Sequence, residues 1–180
     1  MFADNTLTPK ETVRLCALGT LALGATLYGE LANSIRHFIS RITGPSLDVM
    51  GVSIELLKYE GLVEVADKAA VEDETQLIIT ESGRVELKSL LTANVRPAAT
   101  EISKLVVALK FRFLHLLEGT ERSIQAELLI EMTENELARL DDLREHHAND
   151  PGYLVGWLDH DISLLEMRLD WLEDFKESLP

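Results

Sequence analysis

A single cysteine, Cys16, stands among 180 residues, so no internal disulfide can hold the chain together. It falls on an apolar helical face with no activating base near it in sequence, which makes it a small core residue in a reducing compartment rather than a catalytic thiol. Basic residues are also scarce: 17 Lys and Arg face 31 Asp and Glu, for a formal charge of −14. A total of that sign offers no long-range attraction to nucleic acid or anionic lipid, so any grip on phosphate must come from a local basic patch. No apolar run is long enough to cross a bilayer. The run from Leu15 to Tyr28 contains Gly19, Thr20, Gly24 and Thr26 and follows Asp4 and Glu11 alongside Lys10 and Arg14. A core helix followed by a turn explains it better than a secretory leader, and the expected location is the cytoplasm. A catalytic constellation is missing too. His146-His147 and Asp159-His160-Asp161 are sequence neighbours, and neighbours on a helix point in different directions, so no catalytic residue, metal or cofactor is expected.

What remains is an ordinary globular composition, 46% apolar and 27% charged, enough to bury a core in one or two domains. The most informative stretch runs from Ser46 to Gly83. It reads as a helix to Glu60, a stop at Gly61, a strand from Leu62 to Ala66, a polar excursion from Asp67 to Thr75, a strand from Gln76 to Ile79, and a further helix opened by Thr80. With two helical segments ahead of it, that order is the plan of a winged helix-turn-helix. Leu47, Met50, Ile54 and Leu57 recur at steps of three and four, which leaves the face of Asp48, Ser53, Glu55 and Tyr59 free to read something.

Upstream, Thr8-Pro9-Lys10-Glu11 combines an N-cap, a first-turn proline and a capping-box glutamate, and predicts a helix to about Leu23. Gly24-Ala25-Thr26 breaks it. Leu31, Ile35, Phe38 and Ile42 mark a second helix whose outer face carries Arg36, His37 and Arg41, until Gly44-Pro45 ends it and Ser46 caps the next. These basic residues are candidate phosphate contacts, with two solvated arginines as the plainer reading. Ser46, Ser53 and Lys58 of the third helix, Lys68 of the wing, and Arg84 and Lys88 one helical turn apart beyond it complete the candidate DNA-binding set. Against them stand Asp67 and Glu72-Asp73-Glu74 in the wing, whose charge would be repelled by a phosphate backbone.

The character changes near Asn94-Val95-Arg96-Pro97, which predicts two domains, 1–94 and 95–180, the second all helical. Ile102, Val106, Leu109, Phe113 and Leu116 give one helix over Pro97 to Leu117. Leu129, Met132, Leu137, Leu140 and Leu143 mark a second over Glu121 to His147, with Thr120 as its expected cap, and Asn149-Asp150-Pro151 stops it and caps the third. In that third helix Val155, Leu158, Ile162, Leu165, Leu169, Leu172 and Leu179 keep heptad spacing, a coiled-coil-like seam. Tyr153, Trp157, Trp171 and Phe175 widen the stripe beyond what one neighbour would cover. Dimerisation through Val155, Leu158, Ile162, Leu165, Leu169 and Leu172 with Trp157 and Trp171 is the expectation, and a small-molecule pocket between helices is the alternative.

The run Glu60-Gly61-Leu62-Val63 followed by Leu77 to Arg84 resembles the end of the reading helix and wing in PadR-type transcriptional regulators. Phe113-Leu114-His115-Leu116-Leu117, Glu121-Arg122 and the run from Leu164 to Glu173 are similar to the helical dimerisation region of the AphA-like branch. The resemblance implies a mainly α fold with a small β wing, an N-terminal winged helix-turn-helix and a C-terminal antiparallel helical dimerisation domain. It also implies a bacterial homodimer that regulates transcription by binding palindromic promoter DNA. The departures lie in the reading surface: Gly51 stands where the family places a tyrosine, Glu55 and Leu56 stand in place of a basic pair, and the wing is acidic. Weak or partner-assisted DNA binding is therefore expected, a second regulator protein being a candidate partner. A winged helix kept as a protein-interaction module is the rival reading.

Overall fold

The computed structural model describes residues 6–43, 54–66, 75–95 and 100–180, which fall into two compact units, 1–116 and 117–180. In the first unit, helix α1 (Pro9–Ala22) starts where the sequence predicts. The Thr8 hydroxyl accepts from the Glu11 amide at 3.3 Å, and the Glu11 carboxylate accepts from the Thr8 amide at 2.7 Å. These reciprocal bonds satisfy two of the donors that a helix start leaves open. The Thr8 hydroxyl also donates to the Glu11 carboxylate at 2.6 Å, and this bond, followed by that from the Thr8 amide, holds the Glu11 carboxyl below its ordinary range. Val13, Leu15, Cys16, Ala17, Leu18 and Leu21 of α1 are buried and form the middle of the core.

The chain continues through β1 (Thr26–Leu27), α2 (Tyr28–Thr43), α3 (Ile54–Tyr59), β2 (Val63–Val65), β3 (Gln76–Ile79), α4 (Glu81–Thr92) and α5 (Glu101–Phe113). The strands make one antiparallel sheet in the order β1-β3-β2, with Thr26 opposite Leu77 and Val63 opposite Ile79. Strand β1 is too short, at two residues, for alternation to reveal it, and the expected break at Gly24-Ala25-Thr26 therefore contains a strand. Helices α1, α2 and α3 with a small sheet in which β2 and β3 pair antiparallel are the winged helix-turn-helix arrangement that the order of segments predicts.

Helix α3 ends for a local reason. Gly61 takes φ +72°, the left-handed conformation that glycine enters most readily. The Gly61 amide then donates to Lys58 O at 3.0 Å and the Leu62 amide to Leu57 O at 2.9 Å, the two bonds of a Schellman cap. Helix α4 starts on Thr80, whose hydroxyl accepts from the Gly83 amide at 3.0 Å. Helix α5 starts on Thr100, which accepts from the Ser103 amide at 3.1 Å, and residues 114–116 extend it as a 3-10 turn. The apolar positions of α5 pack on α1 and α2, so α5 belongs with the first unit, and the division between units falls after Leu116 rather than at the composition change near residue 94.

The second unit is a hairpin of α6 (Gly119–His146) and α7 (Leu154–Ser178). It is antiparallel: Lys176 meets Glu127 at 2.8 Å near one end and Arg144 meets Asp159 at the other. Leu158, Ile162, Leu165 and Leu172 are buried, as are Ala126 and Leu129 of α6. Two expected caps are corrected. Helix α6 starts ahead of Thr120 on Glu118, whose extended amide donates to the Glu121 carboxylate at 3.4 Å. Helix α7 starts beyond Asn149-Asp150-Pro151, because Gly152 at φ +115° turns the chain first and Asp150 is engaged with His147 Nδ1 at 2.6 Å.

Candidate nucleic-acid interface

The expected DNA-binding residues lie on separate helices. On α2, Arg36, His37 and Arg41 are all exposed, while Leu31, Ile35 and Ile39 on the opposite side are buried. The 3.6-residue repeat produces this outcome, because the apolar positions commit one side to the core and leave Asn33, Arg36, His37, Ser40 and Arg41 on a continuous outer arc. Asn33 Oδ1 accepts from Arg36 Nη1 at 3.0 Å and steadies that side chain. On α4, Arg84 and Lys88 are exposed one turn apart, with Gly83 and Leu87 buried behind them.

Helix α3 carries the weaker part of the site. Lys58 lies 3.2 Å from the Glu55 carboxylate, so its ammonium is shared with its own neighbour. Leu56 is 42% exposed and Tyr59 90% exposed. A face of leucine, tyrosine, glutamate and a paired lysine has little of the Arg, Lys, Asn and Gln chemistry that reads guanine or adenine edges. Ser46, Ser53 and Lys68, together with Gly51 and the acidic residues from Asp67 to Glu74, lie outside the described residues.

The division into units changes the meaning of the acidic total. Residues 1–116 hold 12 Lys and Arg against 14 Asp and Glu, net −2, whereas residues 117–180 hold 5 against 17, net −12. Within the first unit, leaving aside positions 67–74, the count becomes 11 basic against 10 acidic. The winged unit is thus close to neutral, and exposed arginines there act over a Debye length of about 10 Å without a large opposing field of their own unit.

The expected dimerisation residues divide in two. Leu158, Ile162, Leu165 and Leu172 are buried within the hairpin, and Val155 and Leu169 are half-buried. Trp157 and Trp171 are 55% and 53% exposed, and Leu164 and Met167 on the same helix are exposed with them. Leu164 lies seven residues from each tryptophan, a second heptad row beside the first that the spacing alone could have revealed. Trp171 stacks on Phe175 with centroids 5.5 Å apart. Among the described residues no group of three His, Cys, Asp or Glu could hold a metal ion, and no helix is long and apolar enough to cross a membrane.

A winged helix-turn-helix unit joined in one chain to an antiparallel helical hairpin defines the class of protein. The chain belongs to the family of AphA-like transcriptional regulators, whose family model matches residues 2–176. The family is one of regulators rather than catalysts. Among solved structures, that of Bacillus subtilis PadR in complex with operator DNA matches at 20% identity over 91% of this chain and 97% of that one, with a TM-score of 0.37. No curated protein matches the chain at a significant level.

Proposed function

We propose that this regulator acts in the cytoplasm as a homodimer that binds promoter DNA through its winged unit, with the α6–α7 hairpin supplying the dimer contact. The observation that carries the reading is the partition of charge. Of the formal −14, the winged unit holds only −2, and it presents Arg36, His37 and Arg41 along one exposed arc of α2 and Arg84 with Lys88 on α4. These groups suit phosphate contacts, which position a protein on the duplex without reading sequence. The face of α3 contributes little base chemistry, so affinity is modest and depends strongly on salt. For the dimer, the exposed row of Trp157, Leu164, Met167 and Trp171 is the surface that a second copy would cover.

The test is a gel-shift series over rising salt on the DNA upstream of the protein's own coding region, with a scrambled fragment of equal length as control and the solution mass measured in parallel. Preferential binding by a dimer, with a steep negative dependence on salt, is the expected result. A clean dimer with no preference would overturn the DNA reading. The exposed Leu56 and Tyr59 on α3 would then favour a winged helix that binds another protein.

A further inference from the structure

The exit of α3 is held from three directions, and one of the holds is an arginine whose two partners lie far apart in sequence. Arg14, on α1, places Nη2 at 2.9 Å from Glu60, the residue that follows α3, and Nη1 at 3.2 Å from Glu86 on α4. Its side chain is only 21% exposed, and both glutamates are one-third exposed. Alongside it, the Thr80 hydroxyl donates to Gly61 O at 2.7 Å and the Thr80 amide to Leu62 O at 3.1 Å. Gly83 completes the clamp, since a Cβ there would stand 2.2 Å from Leu62 O, so α4 approaches this turn as closely as a backbone can. The core anchors of the described part of α3 are Ile54 and Leu57. These two buried side chains fix the depth of this part of the helix, and its pitch depends on how its end is held.

We propose that Arg14 is a positioning residue for the reading helix: its guanidinium fork binds Glu60 and Glu86 together and so sets the angle at which α3 leaves the winged core. Arginine suits the task because its planar fork serves two carboxylates at once, whereas a lysine ammonium is a single point of charge. Part-exposed ion pairs contribute little to global stability, so the consequence of this one lies in orientation. The proposal rests on the DNA-binding reading for its functional consequence, though not for its structural one.

The test uses the full chain as Glu60→Gln, Arg14→Met and the double variant, with Glu86→Gln alongside. Each single variant is expected to lose about tenfold in preference for the promoter fragment over the scrambled one, as if one good base contact were lost. The salt slope should stay unchanged, because Arg14 is largely buried and its guanidinium is turned to Glu60 and Glu86. The double variant should be no worse than Arg14→Met alone, since that single change already removes the contact with Glu60. In parallel, the amides of Glu60, Gly61 and Leu62, which close the end of α3, should exchange faster with deuterium in all the variants. A lowered unfolding midpoint with unchanged preference and unchanged exchange would overturn the proposal and leave Arg14 a stabilising residue only. If the wild-type protein shows no preference, the DNA reading fails by itself, and the exchange of those amides still decides whether Arg14 sets the end of α3.

Discussion

Lys110 carries its ammonium into the winged unit's core, where the residue is 2% exposed and Nζ donates to Leu91 O at 2.6 Å. The acceptor is one of the last carbonyls of α4, which has no partner within its own helix, so the lysine both caps α4 and joins it to α5. Burial pushes the Lys110 pKa down to about 8 from 10.5. Below pH 8 both folded and unfolded chains keep the proton and the burial cost, roughly 3 kcal/mol, is present in full. Between about 8 and 10.5 the folded chain has released a proton that the unfolded chain still holds, so this group's contribution to stability rises with pH. Cys16 acts in the opposite sense: burial raises its thiol to about 11, so between 9 and 11 its contribution falls as pH rises. In Lys110→Met the cysteine is unchanged, and the difference from wild type isolates the lysine. Urea unfolding at pH 7 to 10 should show the variant losing the upward slope, and at pH 7 it should lie within about 1–2 kcal/mol of wild type, because relief of the charge offsets an unbonded carbonyl. Equal slopes in both proteins would contradict this.

Helix α7 separates two heptad rows that its sequence presents together. Leu158, Ile162, Leu165 and Leu172 fill the seam against α6, while Trp157, Leu164, Met167 and Trp171 stay exposed. Substitutions one residue apart should therefore act on different equilibria. Leu164→Glu is expected to leave far-UV circular dichroism and the unfolding midpoint near wild type while shifting the mass measured by light scattering from dimer to monomer. Leu165→Ala should instead cost about 2–4 kcal/mol of hairpin stability, because it opens a cavity in a packed seam. If Leu164→Glu remained a dimer, the exposed row would not be the dimer surface. At this scale the sequence was a good guide to element type and a poorer guide to ends. It was right about β3 over Gln76–Ile79 and the cap on Thr80, where β-branched and aliphatic residues and a capping threonine act locally. It missed β1, whose two residues are defined by pairing with β3 rather than by any pattern of their own.

The whole molecule divides its charge as sharply as its fold. Residues 117–180 carry −12, which keeps the hairpin solvated and denies it any attraction to nucleic acid, whereas the near-neutral winged unit exposes its basic side chains on α2 and α4. Binding to promoter DNA should therefore respond to position rather than to net charge. Arg36→Ala and Arg41→Ala should each lower the slope of log affinity against log salt by about 1 and weaken all DNA sequences alike. Arg168→Ala, which removes the same charge from α7, should change neither. An equal loss from all of these substitutions would mean that the total charge governs binding.

The order of elements, the caps on Thr8 and Thr80, the Gly61 stop and the arc of Arg36, His37 and Arg41 were legible from residues and their spacing, because each depends on groups within one or two helical turns. Distribution among partners was not legible. Which helix of the chain packs on the seam of α7, whether α5 joins the winged core, and how Arg14 comes to hold Glu60 and Glu86 from 46 and 72 residues away depend on packing between elements. Periodicity specifies which side of a helix is apolar. Only the tertiary structure decides what covers that side, because the covering surface comes from a distant part of the chain and follows from closing the core as a whole.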